Sequence, residues 1–444
     1  MVHVRATMAI SSKYNSKAIQ IVKTQSNFER EKLVRPFGFK GGYLSELWQT
    51  VSQMESASGN KKIGIATQSV LYGDADLFTV HSEANGNAMM YVLANRALDI
   101  VCQQPFNTPP ELFDSIVPLV LAEGKKITGK ADLNINFVYN ALVSIDNAAW
   151  LIYAADNGFQ TFESMIPNPY KNALRHRNER LAIMYQVPYG MPMQDLKDAV
   201  EQGYFVFKIK TGYPGTQAEM LQQDMDRLTL IHNVLKDLRT DHTIDGRIIY
   251  TMDANGRYEK KETLQRYLDH AKTIGAYERI LLYEEPLAEA NDENVSDLGV
   301  RIAADESAHD EESTLRRFDL GYGVLVLKGI AKTLSMSVKL ARLAAERNIP
   351  CMCADLTVNP ILVEWHKNLC AHVAPFPVIN MGLIETNGDM NYANWDLMGK
   401  YHPGSDATWS QRKNGVFTLD KEFYDRSGGI FEVSPHYEGL FRIS

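Results

Sequence analysis

The stretch Tyr204-Phe205-Val206-Phe207 is apolar and then runs straight into Lys208-Ile209-Lys210. Four later strand-like segments also end in a charge: Ile249-Tyr250-Thr251-Met252-Asp253, Ile280-Leu281-Leu282-Tyr283-Glu284, Val300-Arg301-Ile302-Ala303-Ala304-Asp305 and Val324-Leu325-Val326-Leu327-Lys328. Strands of a soluble protein have no reason to end repeatedly in charge on their buried side unless that end is a site. The charged ends recur at intervals of about 20 to 45 residues, the repeat of a βα unit. Between them lie amphipathic stretches. The clearest is 217–239, where Met220, Leu221, Met225, Leu228, Ile231, Val234, Leu235 and Leu238 form one helical stripe. Shorter helices are predicted at 260–274, 311–318, 335–347 and 360–371. Such alternation means a parallel sheet. A site drawn from the ends of many strands favours a closed barrel over an open sheet, where the ligand would sit at one switch point.

Composition limits the alternatives. The 444 residues are 45% apolar and 23% charged, enough for a large barrel and a second domain. The net charge of -8 and the lack of a basic stripe argue against a nucleic-acid or anionic-membrane surface. No apolar run approaches the roughly 18 residues of a membrane span, and the N-terminal residues show no leader pattern, so a cytoplasmic protein is expected. Cys102, Cys351, Cys353 and Cys370 are too few and scattered for a disulfide framework. No partner at zinc spacing accompanies Cys351 and Cys353, and no elbow motif presents either as a nucleophile, so they are expected to be core thiols.

Before residue 180 the pattern is irregular, with a hairpin expected around 62–81 and helices at 87–102, 110–123 and 137–155. Residues 1–165 are therefore read as an α+β domain and 180–386 as the barrel. From 387 to 444 Gly, Asn, Asp, Tyr and Trp dominate, with turns at Asn387-Gly388 and Ser427-Gly428-Gly429. This segment is expected to fold back on the first domain.

Asp253, Glu284 and Asp305, at the carboxyl ends of successive strands, offer three hard oxygen ligands to one point at the barrel mouth, a set suited to Mg²⁺. Lys208 and Lys210 are two apart on a strand and share a side. Their mutual repulsion, with a dication nearby, is expected to lower the lysine pKa toward neutrality and make Lys210 a base. Lys328 would face the cavity from the opposite side. A metal between two opposed lysines suits removal of a proton α to a carboxylate, with the metal and Lys208 neutralising the charge that develops.

At these residues the chain resembles the enolase superfamily, in particular its mandelate racemase/muconate lactonizing enzyme-like branch. The motifs are Lys208-x-Lys210, Asp253-Ala254-Asn255-Gly256, Glu284-Glu285-Pro286, Ala304-Asp305-Glu306-Ser307 and Lys328, in family order; Ser144 to Trp150 (Ser-Ile-Asp-Asn-Ala-Ala-Trp) looks like the helix leading from cap to barrel. The resemblance covers roughly residues 130–385. It implies a modified TIM barrel, (β/α)7β, with an α+β capping domain built from the N- and C-terminal segments, and a homo-oligomer. The lysine and Mg²⁺ chemistry is the superfamily's established pattern.

Several positions depart from that pattern. A Gly-Gly pair commonly follows the sixth-strand lysine, whereas this chain reads Lys328-Gly-Ile-Ala-Lys332, which leaves Lys332 as a competing assignment. Dipeptide epimerases of the branch carry Asp-x-Asp near the eighth strand; here the region reads Leu383-Ile384-Glu385-Thr386-Asn387. Asp355, Asn359 and Glu385 are substrate-contact candidates, with a helix N-cap as the alternative for Asn359 ahead of Pro360. Asn255, Glu285 and Glu306 are expected to support the ligands from behind. His309, His366 and His372 fall on or near predicted helices and are read as surface or helix-terminal residues. Phe37, Phe39, Tyr43 and Tyr72 are candidate cap positions over the mouth. No glycine-rich nucleotide loop is present.

Two classes of function are consistent with these residues. One is a Mg²⁺-dependent enzyme acting on a small carboxylate by α-proton abstraction through an enediolate, foremost a racemase or epimerase, with cycloisomerase and dehydratase using the same equipment. The other is a catalytically silent barrel that binds a carboxylate or a partner. Three carboxylates and three lysines crowded at one mouth carry a like-charge cost that a silent barrel has no need to bear.

Overall fold

The computed structural model describes residues 18–39 and 42–442. A three-stranded antiparallel sheet comes first, β1 (Ile21–Phe39), β2 (Gly42–Ser56) and β3 (Lys61–Gln68), in the order β1-β2-β3. The hairpin expected around 62–81 lies earlier in the chain. The turn at 57–60, with Gly59 at φ 89°, folds β3 back on β2, so that Trp48 faces Gln68 and Glu55 faces Lys61. Beyond β3 the chain turns helical, with a single turn, α1 (Val70–Gly73), and then α2 (Ala75–Val101). Asp74 caps α2 by accepting from the N–H groups of Asp76 and Leu77, which is why it begins twelve residues before the expected 87. Ser82, at φ 69°, kinks it. Helices α3 (Pro109–Thr128) and α4 (Ile135–Asn157) complete this layer.

Residues 136–154 of α4 are buried on every face, as befits a helix enclosed on all sides. Gly64 permits this: a Cβ there would lie 1.9 Å from the Ser144 carbonyl oxygen. On the barrel side, Asp146 accepts from Ser335 N at 3.0 Å and from the Ser335 hydroxyl.

After the short α5 (Phe162–Met165), eight parallel strands form the barrel: β4 (Arg180–Val187), β5 (Val206–Lys210), β6 (Ile249–Asp253), β7 (Ile280–Glu284), β8 (Ile302–Ala304), β9 (Val324–Leu327), β10 (Cys351–Cys353) and β11 (Gly382–Glu385). Pairing of Gly382 with Leu181 through Glu385 with Met184 closes it. The connecting helices are α6 (Met193–Glu201), α7 (Gln217–Leu235), α8 (Lys261–Thr273), α9 (Glu311–Asp319), α10 (Leu334–Glu346) and α11 (Pro360–His372). Residues 285–301, between β7 and β8, cross without an α-helix.

The last segment holds α12 (Gly388–Asn391), α13 (Trp395–Gly399), β12 (Val416–Thr418), α14 (Lys421–Arg426) and α15 (Pro435–Gly439). It touches both layers. β12 pairs antiparallel with the lower half of β4, while β5 pairs with the upper half. Toward the cap, Ala393 N donates to Lys32 O, Asn394 to Glu31, and Asn27 to Leu440 O. No described helix is long and apolar enough to cross a membrane. The leader expectation rests on residues outside the described ones. All four cysteines are free thiols, and Cys351, Cys353 and Cys370 are buried.

Candidate active site at the barrel mouth

Strand register assembles the site. β5 pairs with β6 so that Lys210 opposes Asp253, and β6 with β7 so that Asp253 opposes Glu284. Asp305 lies one residue beyond β8 and Lys328 one beyond β9, so five charged groups share the carboxyl-terminal rim. Tight turns then hold the row. Asn255 and Gly256 adopt left-handed conformations (φ 46° and 70°), Asn255 N donates to Asp253 Oδ1 at 3.0 Å, and Gly256 N donates to Glu285 O at 2.7 Å.

The ammonium groups are paired with the carboxylates. Lys208 Nζ lies 3.2 Å from Asp253 Oδ2, 2.8 Å from Glu284 Oε2 and 2.9 Å from Glu385 Oε2, and the residue is 2% exposed. Lys210 Nζ contacts Asp253 Oδ2 at 2.5 Å and donates to Asn255 Oδ1 at 3.1 Å. Lys328 pairs with Asp305. Lys332 instead donates to two main-chain carbonyls, Asp305 O at 2.5 Å and Ala308 O at 3.0 Å, and buttresses the loop carrying Asp305. Of the two competing lysines, Lys328 is the one whose ammonium meets a carboxylate squarely.

These pairings reverse the expected direction for Lys208, and Lys328 is moved the same way. Burial alone would push Lys208 and Lys328 down, but Glu284, Glu385 and Asp253 around the first, and Asp305 beside the second, outweigh it and hold both well above their ordinary value. Lys332, buried with less compensation and facing Lys328, is lowered. Burial would raise Asp253, yet Lys210 and Lys208 hold it below the usual carboxylate range; Lys328 and Lys332 likewise bring Asp305 to about 2. Glu284 goes the other way. Burial, with Asp253, Asp305 and Glu385 nearby, raises it well above the ordinary value despite Lys208.

Asp253 and Glu284 thus gather on Lys208, whereas Asp305 turns to Lys328 and Lys332. Among the described residues no three His, Cys, Asp or Glu side chains stand grouped to enclose a metal ion. In donor chemistry the row nevertheless suits a hard dication. All its ligating atoms are carboxylate oxygens, and the buried Glu284 Oε2 and Asp305 Oδ1 face only lysine ammonium groups, Lys208 at 2.8 Å and Lys332 at 3.4 Å, positive charge that a dication could replace.

Behind this row, Glu285 Oε2 accepts from Asp305 N at 2.7 Å and from the Ser307 hydroxyl at 3.0 Å, fixing the Asp305 loop; burial and then Glu306 push Glu285 up to about 8. Asn255 Nδ2 donates to Glu306 Oε1 at 3.0 Å. The three substrate-contact candidates all have partners within the protein. Glu385 holds Lys208 and accepts from Asp355 N at 3.2 Å. Asp355 accepts from the N–H groups of Leu356, Val358 and Asn387 and is raised to about 6 by burial and Glu385. Asn359 caps α11 by accepting from Leu362 N and donates to Gln49 Oε1 at 3.0 Å.

The sequence misplaced one histidine. His366 is 2% exposed in the middle of α11, and burial lowers it to about 4; His372 is helix-terminal as expected, though buried. Among the aromatic cap candidates, Tyr72 is the one found at the site: Lys328 Nζ lies over its ring, 5.0 Å from the centroid, and its buried hydroxyl has no hydrogen-bond partner. Tyr43 is 70% exposed, and the side chains of Phe37 and Phe39 lie outside the described part. The sequence offered Tyr72 as one of four such positions without ranking them.

No protein-family profile matches this sequence, and no curated protein matches it. Solved structures do share its fold. A mandelate racemase/muconate lactonizing protein from Herpetosiphon aurantiacus aligns over 91% of this chain and 97% of its own, with a TM-score of 0.62 and 15% identity. A dipeptide epimerase from Enterococcus faecalis, complexed with Mg and a dipeptide, aligns over 85% and 92% (TM-score 0.59, 15% identity). An N-succinyl Arg/Lys racemase from Bacillus cereus aligns over 85% and 89% (TM-score 0.59, 14% identity). The chain has the fold of these solved structures, among them a mandelate racemase/muconate lactonizing protein.

Proposed function

We propose that the protein is a Mg²⁺-dependent isomerase that removes and returns the proton α to the carboxylate of a small molecule, in the manner of a racemase or epimerase. The observation that carries this is the placement of ammonium groups at two stations of one carboxylate-lined mouth, Lys210 at the end of β5 and Lys328 beyond β9, with β6, β7 and β8 between them. The solved structures sharing the fold include a racemase and an epimerase, and one of them is complexed with Mg.

Asp253, Glu284 and Asp305 would hold the cation. When bound, it neutralises charge developing on the substrate carboxylate, which makes so weak a carbon acid accessible. Lys208, buried and protonated, sits beside Glu284 to assist that neutralisation. On one face the Lys210 nitrogen takes the α-proton: the C–H bond breaks, an N–H bond forms, and the electron pair passes into the enediolate. On the other face Lys328, protonated beside Asp305, returns a proton to carbon. The reverse direction exchanges the two roles.

The test is α-proton exchange in D₂O, followed by NMR with Mg²⁺ and a panel of amino-acid derivatives, dipeptides, hydroxy acids and sugar acids. Exchange with inversion, lost in Lys210→Ala and Lys328→Ala, is the expected result. Exchange coupled to loss of water would indicate a dehydratase. Mg²⁺ binding without exchange anywhere in the panel would favour a silent carboxylate-binding barrel.

A further inference from the structure

Lys210 and Lys328 stand in different relations to water. The Lys210 side chain is 21% exposed, and its partner Asn255 is itself at the surface. The Lys328 side chain is 6% exposed, held between the Asp305 carboxylate and the ring of Tyr72. Tyr72 belongs to the cap, on α1, and its backbone is fixed by buried contacts. Ser69 N donates to Asn140 Oδ1 and Val70 N to Asn87 Oδ1, both at 2.9 Å. The adjoining Gly73 is packed so closely that a Cβ would fall 3.0 Å from the Phe137 Cα. The α1 backbone that carries the ring is therefore fixed against α2 and α4. An ammonium over an aromatic face is attracted by the ring quadrupole, the more so when water is excluded. The hydroxyl has no partner in the protein, so the ring carries the contact.

We propose that Tyr72 is a positioning residue that screens the Lys328 ammonium from water, so that the two lysines are chemically unequal: one open to solvent, the other enclosed by the cap. The proposal rests on the function proposed above in assigning both lysines to one reaction, but its test needs no substrate. Native protein is labelled with a trace of acetic anhydride. Acetylation at each lysine is then quantified by mass spectrometry against the unfolded chain, with Lys332, 1% exposed and buttressed by carbonyls, as an internal control.

In wild type Lys210 is expected to acetylate faster than Lys328. In Tyr72→Ala the labelling of Lys328 should rise by about three- to thirtyfold, the range a ring–cation contact commands, while Lys332 stays unlabelled. Tyr72→Phe should retain the protection. Equal labelling of Lys210 and Lys328 in wild type would overturn the proposal, as would loss of protection in Tyr72→Phe. A simultaneous rise at Lys332 in Tyr72→Ala would show general loosening and also count against it, and wild type with Tyr72→Phe decides the matter if the alanine variant does not fold. Failure of α-proton exchange with protection intact would instead strike the proposed function alone.

Discussion

Lys208 Nζ and Glu385 Oε2 meet at 2.9 Å across β4, joining β5 to β11 on either side of the barrel's closing seam. Both side chains are nearly inaccessible, 2% and 3% exposed, so the pair is dry. Breaking one partner of a buried pair is costly because the other is left under-compensated. Here Lys208 retains Glu284 and Asp253. Glu385→Gln is therefore expected to lower stability by about 1–3 kcal/mol, read from urea unfolding. An unchanged midpoint would mean that the remaining two carboxylates satisfy the ammonium alone.

Divalent metal should stabilise the fold. With the carboxylates of the mouth preferring a cation in the native state, adding Mg²⁺ is expected to raise the thermal midpoint, and a chelator to reverse it; binding at a hundredfold over Kd is worth about 2.7 kcal/mol. Asp305→Asn should weaken that response while leaving the metal-free midpoint close to wild type or lower. A midpoint indifferent to Mg²⁺ would count against a metal site.

Asp146 predicts a pH dependence. Burial raises its carboxyl from 3.8 to about 7 despite the Ser335 donors. The native state then holds a proton that the unfolded chain releases between those values, so this contribution to stability is complete below about 4 and declines as pH rises through about 7. Its size is at most on the order of 4 kcal/mol. Denaturation at pH 5 and pH 8 should show a fall in wild type that is smaller in Asp146→Asn. A variant with the same slope would place the dependence elsewhere.

Gly64→Ala probes the contact between β3 and α4. A methyl group 1.9 Å from the Ser144 carbonyl oxygen forces the helix outward, and overpacking of this kind costs roughly 1–3 kcal/mol or more. The denaturant midpoint should drop, with no drop if the sheet can shift freely.

What the sequence disclosed was whatever depends on near neighbours. Period-two spacing put Lys208 and Lys210 on one side, and the stripe Met220 to Leu235 marked α7 with its start at Gln217. Helix punctuation also served well: Asn359-Pro360 opens α11, as a cap followed by proline should. The failures share a different cause. That Glu385 serves Lys208, 177 positions away, and that Tyr72 covers Lys328 are set by how distant segments pack, which no local pattern encodes. The pKa direction expected for Lys208 failed similarly, since it weighed the neighbouring lysine and not carboxylates arriving from other strands. The hairpin expected around 62–81 gave way because Asp74 acts as a helix cap and the chain runs on into α2.

The division of the β4 edge between β5 above and β12 below has a consequence for biosynthesis. Residues 416–418 pair along a strand made more than two hundred residues earlier, and Ala393 and Asn394 tie back to Lys32 and Glu31. Neither the barrel wall nor the cap can be finished on the ribosome until nearly the whole described chain has emerged. The two layers should therefore acquire their final resistance to proteolysis together, late in translation, as one cooperative unit.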